Sequence, residues 1–328
     1  MNGKRVEIAG IGHMEVIDCI VHGKAPYTAD ELMHWGEEVT LNLCGAGSLG
    51  YCFQALSKLG VRVGLVGDVA NDPLGKLLIE IFRECGIDVS RVGLIEGAVT
   101  PVALYLLLWG NKKRPLLRTS RPKAPPWRTS FCQEDLDYIA QAKILMESGY
   151  LHNPKVWGKP TVEVFRLAKE HGLTTCLDPQ WASTLPPRKW LTAFDNLLTY
   201  VDVLLLDEAE ACNIAGCGSV EEASGKLVGL GPRIVAVKMG ENGCLVQEGA
   251  RTVHIPSFRL ENDRIIDAIG AGDAFDAGFL VGELENWDIE KTARFANAVA
   301  CFSLLGPGGS SQIPSRDMIE NFLMKKKK

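Results

Sequence analysis

The sequence has no C-x-x-C pair, no apolar stretch of the ~18 residues that a membrane helix requires, and no surplus of positive charge. Its ten cysteines, from Cys19 to Cys301, are scattered, which excludes a zinc framework and argues against a disulfide scaffold. They read as free thiols of a reducing compartment, several of them inside apolar stretches where cysteine behaves as a small hydrophobe. Thirty-five basic residues against forty acidic ones leave a net charge of -5. No global positive field is therefore available to hold nucleic acid or an anionic membrane, and any anionic partner must be gripped locally. No G-x-x-x-x-G-K-[ST] occurs, so a P-loop nucleotide site is excluded, and protein-kinase signatures are absent too. Lys4, Arg5 and Glu7 lead into no signal-peptide-like apolar run, and a cytoplasmic protein is the expectation.

What is present is an ordinary globular composition, 46% hydrophobic and 23% charged over 328 residues. Short apolar, β-branched runs at 62–66, 144–147, 174–177, 203–206 and 233–238 alternate with amphipathic stretches at 74–84, 161–171 and 208–215. Such alternation predicts parallel strands joined by helices. The strand runs are apolar throughout, as required when helices cover both faces of a sheet. The fold class expected is α/β, a three-layer α/β/α sandwich with a mostly parallel central sheet.

Two excursions, at about 16–42 and 101–121, break the rhythm without a following helix and predict a small β-sheet lid. The segment 112–128 carries Lys112, Lys113, Arg114, Arg118, Arg121, Lys123 and Arg128 and no acid. It could steer an anionic acceptor, since arginine forks match carboxylate and phosphate oxygens. A solvated loop or a dimer contact accounts for the same residues.

The most informative stretch is Gly270-Ala271-Gly272-Asp273, with Asp267 upstream and Gly278 downstream. Small residues there let backbone approach a ligand, and a helix beginning at Asp273 would offer its first amides and its positive dipole end to phosphate oxygens. A plain helix-start aspartate is the bland alternative.

This run resembles the C-terminal signature of the ribokinase-like, or PfkB, sugar kinases. Gly45-Ala-Gly-Ser-Leu-Gly50, Leu206-Asp-Glu-Ala-Glu210 and Val237-Lys-Met-Gly240-Glu-Asn-Gly243 agree with that family in order and rough spacing. The resemblance spans nearly the whole chain and implies a single kinase domain over 1–328, its lid formed by the two excursions. It implies ATP and Mg2+, with Asp273 as the base that deprotonates the acceptor hydroxyl and Gly270, Ala271 and Gly272 leading into amides that hold the γ-phosphate. It places Asp207 and Glu210 at magnesium, largely through water, although Asp207 stands where the family has asparagine and could equally cap a helix. Lys238, Gly240, Gly243 and Asn297 fall at the nucleotide, and Asp178-Pro179 falls where the family often has D-P-N. The loop 306–311, near Asp267, falls where many members bind a monovalent cation such as K+. For the acceptor it implies Gly45, Ala46 and Gly47, and an acid that counting assigns either to Glu15 or to Asp18, the latter favoured narrowly. Tyr51 stands near the place where many members have asparagine. A homodimer through the lid is the family's habit.

The rival is a dinucleotide reading. Gly45-x-Gly47-x-x-Gly50 follows a strand-like segment, precedes a helix and has Asp68 eighteen residues beyond, which would fit an NAD-dependent dehydrogenase. A non-catalytic sugar sensor on the same fold is a third alternative, disfavoured because the 270–273 run is intact.

Overall fold

The computed structural model describes residues 5–34, 36, 39–108, 116–118, 126, 128–181, 185–261 and 264–325. The strands are β1 (Ile8–Gly12), β2 (Val16–Gly23), β3 (Val39–Ala46), β4 (Val63–Ala70), β5 (Asp88–Ile95), β6 (Val102–Leu107), β7 (Leu116–Arg118), β8 (Ile144–Ser148), β9 (Thr174–Asp178), β10 (Val203–Asp207), β11 (Ile234–Lys238), β12 (Cys244–Glu248) and β13 (Arg251–Ile255). The helices are α1 (Ala29–His34), α2 (Ser48–Lys58), α3 (Pro73–Glu84), α4 (Gln133–Ile139), α5 (Lys159–Glu170), α6 (Glu208–Ala215), α7 (Val220–Val228), α8 (Ala271–Leu284), α9 (Ile289–Ser303) and α10 (Arg316–Lys325).

Nine strands form the central sheet, in the order β13-β12-β11-β10-β9-β8-β1-β4-β5. All pairs from β11 to β5 are parallel, and only the β11-β12-β13 edge is antiparallel. Successive side chains of each strand point to opposite faces. Val203 and Leu205 of β10 therefore enter one core with α2, α3, α8 and α9, while Leu204 and Leu206 enter the other with α4 to α7. Both faces are buried, which is why these runs lack a polar alternation. Each such side chain stabilises the fold by ~1.5–3 kcal/mol relative to exposure. The three layers agree with the sequence expectation.

The two excursions form a separate four-stranded sheet, β3-β2-β6-β7. The first also contains α1, a short helix that the sequence pattern did not suggest. This sheet explains why the dinucleotide reading fails. Gly45 and Ala46 end β3, which pairs antiparallel with β2 in the lid, so the glycine run belongs to no parallel βαβ unit of the main sheet. A Cβ on Gly45 would meet Ile81 at 3.0 Å, and one on Gly50 would meet Phe82 at 3.0 Å. These glycines let the lid strand and α2 lie close to α3. The first strand stops at Gly12, so Glu15 lies in a connector and Asp18 on the lid strand β2.

Gly278 has a packing role of the same kind. A Cβ there would stand 2.6 Å from Ala296 Cα, so its absence lets α8 and α9 approach closely.

Candidate active site

The chain enters α8 through Gly270, whose φ of 72° is left-handed and suits glycine. A Cβ at Gly270 would also lie 2.9 Å from Gly309 Cα, because the loop 306–311 packs directly on this turn. The helix begins at Ala271, two residues before the expected start at Asp273. The Ala271 amide is engaged within the turn, donating to Ala268 O at 3.3 Å. The amides of Gly272 and Asp273 donate to no acceptor among the described residues, so two of the first three amides of α8 stand open at the positive end of the helix dipole. Gly272 is also free of packing duty: a Cβ there would meet nothing nearer than Lys238 Nζ at 3.7 Å. The open space beside it has room for a ligand group against these amides, as helix N-termini offer to anions.

Behind this turn lies a cluster of buried charge. Carboxylate oxygens of Asp178, Asp273 and Asp276 fall within 4.8 Å of one another. Lys238 Nζ lies 3.0 Å from Asp178 Oδ2 and 3.0 Å from Asp276 Oδ1. One ammonium cannot neutralise three carboxylates, and the acids divide accordingly. Burial opposes the charge on Asp178, but Lys238 and hydrogen bonds from its neighbours hold it below the usual carboxylate range. Burial pushes Asp276 well up, against the pull of Lys238. Asp273 is pushed up to about 8, by burial first and then by the negative charge of Asp178 and, more weakly, of Asp18, against the pull of Lys238.

Asp207 and Glu210 form a reciprocal capping box at the start of α6. Asp207 Oδ1 accepts from the Glu210 amide at 2.7 Å, and Glu210 Oε2 accepts from the Asp207 amide at 2.8 Å. The N-cap role weighed for Asp207 is therefore present. Each acid keeps its second oxygen without a hydrogen bond among the described residues. Burial, then the charge of Asp178, pushes Glu210 up to about 8. Hard oxygen donors beside the 270–273 turn suit a divalent cation, directly or through water.

These groups share one cavity of about 970 Å³, a volume that accepts a nucleotide-sized ligand. Lys238, Gly240, Gly243 and Asn297 line it together with 270–273, Asp207 and Glu210. The structure thus gathers residues that are sixty and more positions apart in the chain. The Asn297 amide donates to the carbonyls of Ile255 at 3.0 Å and Pro256 at 3.2 Å, fixing one wall. Lys238, by contrast, directs its ammonium into the acid cluster.

Glu15 and Asp18 line no part of that cavity. Asp18 is buried on β2 and accepts from the Tyr51 hydroxyl at 2.6 Å. Its charge raises Asp273 weakly. Glu15 accepts from the Met14 amide at 2.8 Å and lines a smaller cavity with His13, Asp68, Arg128 and Glu147. That cavity sits at the carboxyl ends of β1, β4 and β8, where the strand order reverses and α/β sheets bind ligands. Val16 pairs with Ala46 and Ile17 with Gly45, which sets these lid residues beside Asp18. Gly47, at φ 86°, packs against the backbone of His13.

Several expectations change here. Arg128 is not a free lid cation: it bridges Asp68 at 2.7 Å and also Asp135, with Arg91 on the same Asp135. Lys112, Lys113, Arg114, Arg121 and Lys123 lie outside the described residues, as does the side chain of Arg118. In the loop 306–311, Asp267 accepts from the amides of Ile269 at 2.8 Å and Gly308 at 3.0 Å. Lys58 Nζ holds the carbonyls of Ser310 at 2.8 Å and Ser311 at 2.9 Å, so a lysine ammonium already serves two of the carbonyls considered for a monovalent cation. Sequence reasoning missed Gln180, Asp276 and Glu147. Glu147 had a visible signal, an acid at the end of an apolar strand; burial pushes it up to about 8.

Comparison with known proteins places the chain in a family and a fold. The model of the pfkB family of carbohydrate kinases matches residues 7–316. The chain is 25% identical to the 2-dehydro-3-deoxygluconokinase of Bacillus subtilis over 323 residues, covering 94% of this chain and 95% of that protein. Among solved structures it resembles Arabidopsis thaliana ribokinase complexed with ribose and ATP, at a TM-score of 0.76 and 20% identity over 98% of this chain and 99% of that one. A putative ribokinase II from E. coli in complex with ATP and Mg2+ superimposes at a TM-score of 0.73 and 16% identity, covering 98% and 99% of the two chains. No helix among the described residues is long and apolar enough to cross a membrane.

Proposed function

Starting from a chain that belongs to the pfkB family of carbohydrate kinases, we propose that it transfers the γ-phosphoryl group of ATP to a hydroxyl of a small carbohydrate or carbohydrate-like acceptor, with the whole chain acting as one kinase domain. The observation that carries this reading is the start of α8. Two amides without internal acceptors, a bare glycine and a buried carboxyl meet there, at the edge of a nucleotide-sized cavity.

Phosphoryl transfer calls mainly for positioning and charge neutralisation. The amides of Gly272 and Asp273 hold the transferring phosphoryl oxygens, helped by the helix dipole. Asp273 accepts the proton that the acceptor hydroxyl releases. Glu210 and Asp207 would hold magnesium, largely through water; when bound, the ion neutralises phosphate charge. Gly240, Gly243 and Asn297 shape the nucleotide wall. Asp18 receives acceptor hydroxyls beneath the lid, with Glu15 at the adjoining small cavity and Gly45–Gly47 closing the lid side. Closure of the lid excludes water that would otherwise take the phosphoryl group. A monovalent cation remains outside the reading, since Lys58 braces the loop that would carry it. A homodimer through the lid belongs to the proposal, because the edge strand β3 exposes Leu41 and Leu43.

The test is a screen of sugars, sugar acids, phosphorylated sugars and nucleosides with ATP and magnesium, reading ADP release. Acceptor-dependent release with one class supports the proposal. Reduction of a nicotinamide dinucleotide, or no acceptor-dependent release with any class, overturns it. A monomeric elution volume in size-exclusion chromatography would remove the dimer.

A further inference from the structure

Gln180 is one of three non-glycine residues with positive φ among the described residues, at 58°. A left-handed backbone is disfavoured for an ordinary residue, and such residues persist where their surroundings over-determine them, often at functional sites. Its surroundings are the acid cluster. The Gln180 amide N donates to Asp178 Oδ1 at 3.1 Å, and its side-chain Nε2 donates to Asp178 Oδ2 at 2.8 Å. The same Nε2 lies 3.4 Å from Asp273 Oδ1. Asp178 is fully buried and anchored from the far side by Lys238, which is held in turn by Asp276 of α8. Gln180 lines the nucleotide cavity next to Asp273, whereas Asp178 and Asp276 stand behind it.

We propose that Gln180 is a positioning residue for phosphoryl transfer: its side-chain amide, clamped by Asp178 on Lys238, fixes the rotamer of the Asp273 carboxylate so that one oxygen faces the acceptor hydroxyl. The inference rests on the reading of Asp273 as the base. An amide suits this place because it donates to both carboxylates without adding charge to a cluster that already holds several acids. The left-handed backbone follows from the same requirement, since it turns the side chain back toward the strand end that Gln180 has just left.

The test compares Gln180→Gly and Gln180→Asn with wild type and with Asp273→Asn. Glycine suits a φ of 58°, so Gln180→Gly removes the amide while relieving the backbone, and its thermal midpoint should equal or exceed that of wild type. Its kcat should fall at least tenfold, with KM for ATP within twofold. Gln180→Asn, which keeps an amide and tolerates the left-handed region, should recover part of the loss. The inference is overturned if Gln180→Gly turns over within twofold of wild type, or if its loss accompanies a lower thermal midpoint, or if Asn recovers nothing. An Asp273→Asn variant that stays active defeats the reading of the base itself, whatever Gln180 does; an inactive Asp273→Asn beside a normal Gln180→Gly defeats only the clamp.

Discussion

Asp273→Asn should cost activity and add stability, and both effects follow from where the carboxyl sits. Burial and the charges of Asp178 and Asp18 push it from an ordinary 3.8 to about 8. Between those values the native protein retains a proton that the unfolded chain has released, so wild-type stability falls as pH rises. The slope is about 1.4 kcal/mol per pH unit, and the full cost of ionising the group approaches ~6 kcal/mol at pH 8. Local relaxation and water entry reduce such penalties, so a gap of ~2–4 kcal/mol is expected. Asparagine has the same shape and nothing to ionise. Urea unfolding of the free enzyme, without nucleotide or magnesium, should therefore show the two proteins nearly equal at pH 4.5 and the variant more stable at pH 7.5. Turnover with the identified acceptor should fall ~10²–10⁴-fold, the range for loss of a general base. For wild type, kcat/KM should climb with pH toward about 8, because only the ionised carboxyl accepts a proton. A stability gap that does not change with pH, or turnover above one tenth of wild type, would refute the assignment.

The glycines of α8 offer a contrasting pair. Gly272→Ala has room for its methyl, 3.7 Å from Lys238 Nζ, and should match or exceed wild-type stability through better helix propensity. That methyl projects beside the two open amides, so kcat should drop at least a hundredfold in the ADP-release assay. Gly278→Ala drives its methyl against Ala296 Cα at 2.6 Å and should lose about 1–3 kcal/mol by overpacking, while the folded fraction keeps normal kcat. A reversed pattern in denaturation and steady-state kinetics would show that the roles are misassigned.

How much of this was legible beforehand depends on the kind of constraint. Layering was legible because a strand covered on both faces must be apolar at every position, as 203–206 is, and that requirement is written in consecutive residues. The turn at 270–273 was legible for a similar reason: glycine where φ is positive and an acid in the first helical turn are local demands. The exact start of α8 was not, since the Gly270 conformation is fixed by Gly309 packing on it from another loop. Counting alone could not separate Glu15 from Asp18, because β1 stops at Gly12 and the chain then changes sheets, which no periodicity of two could register.

The sequence by itself determined the α/β layering, the lid excursions and the 270–273 turn, since each is a condition on neighbouring residues. Only the tertiary structure decided which charges meet. Asp178, Lys238 and Asp276 are far apart in the chain and come together because parallel strands end at a common edge and α8 begins over it. Electrostatic interaction depends on distance through space and on burial, and neither quantity exists until the sheet has formed.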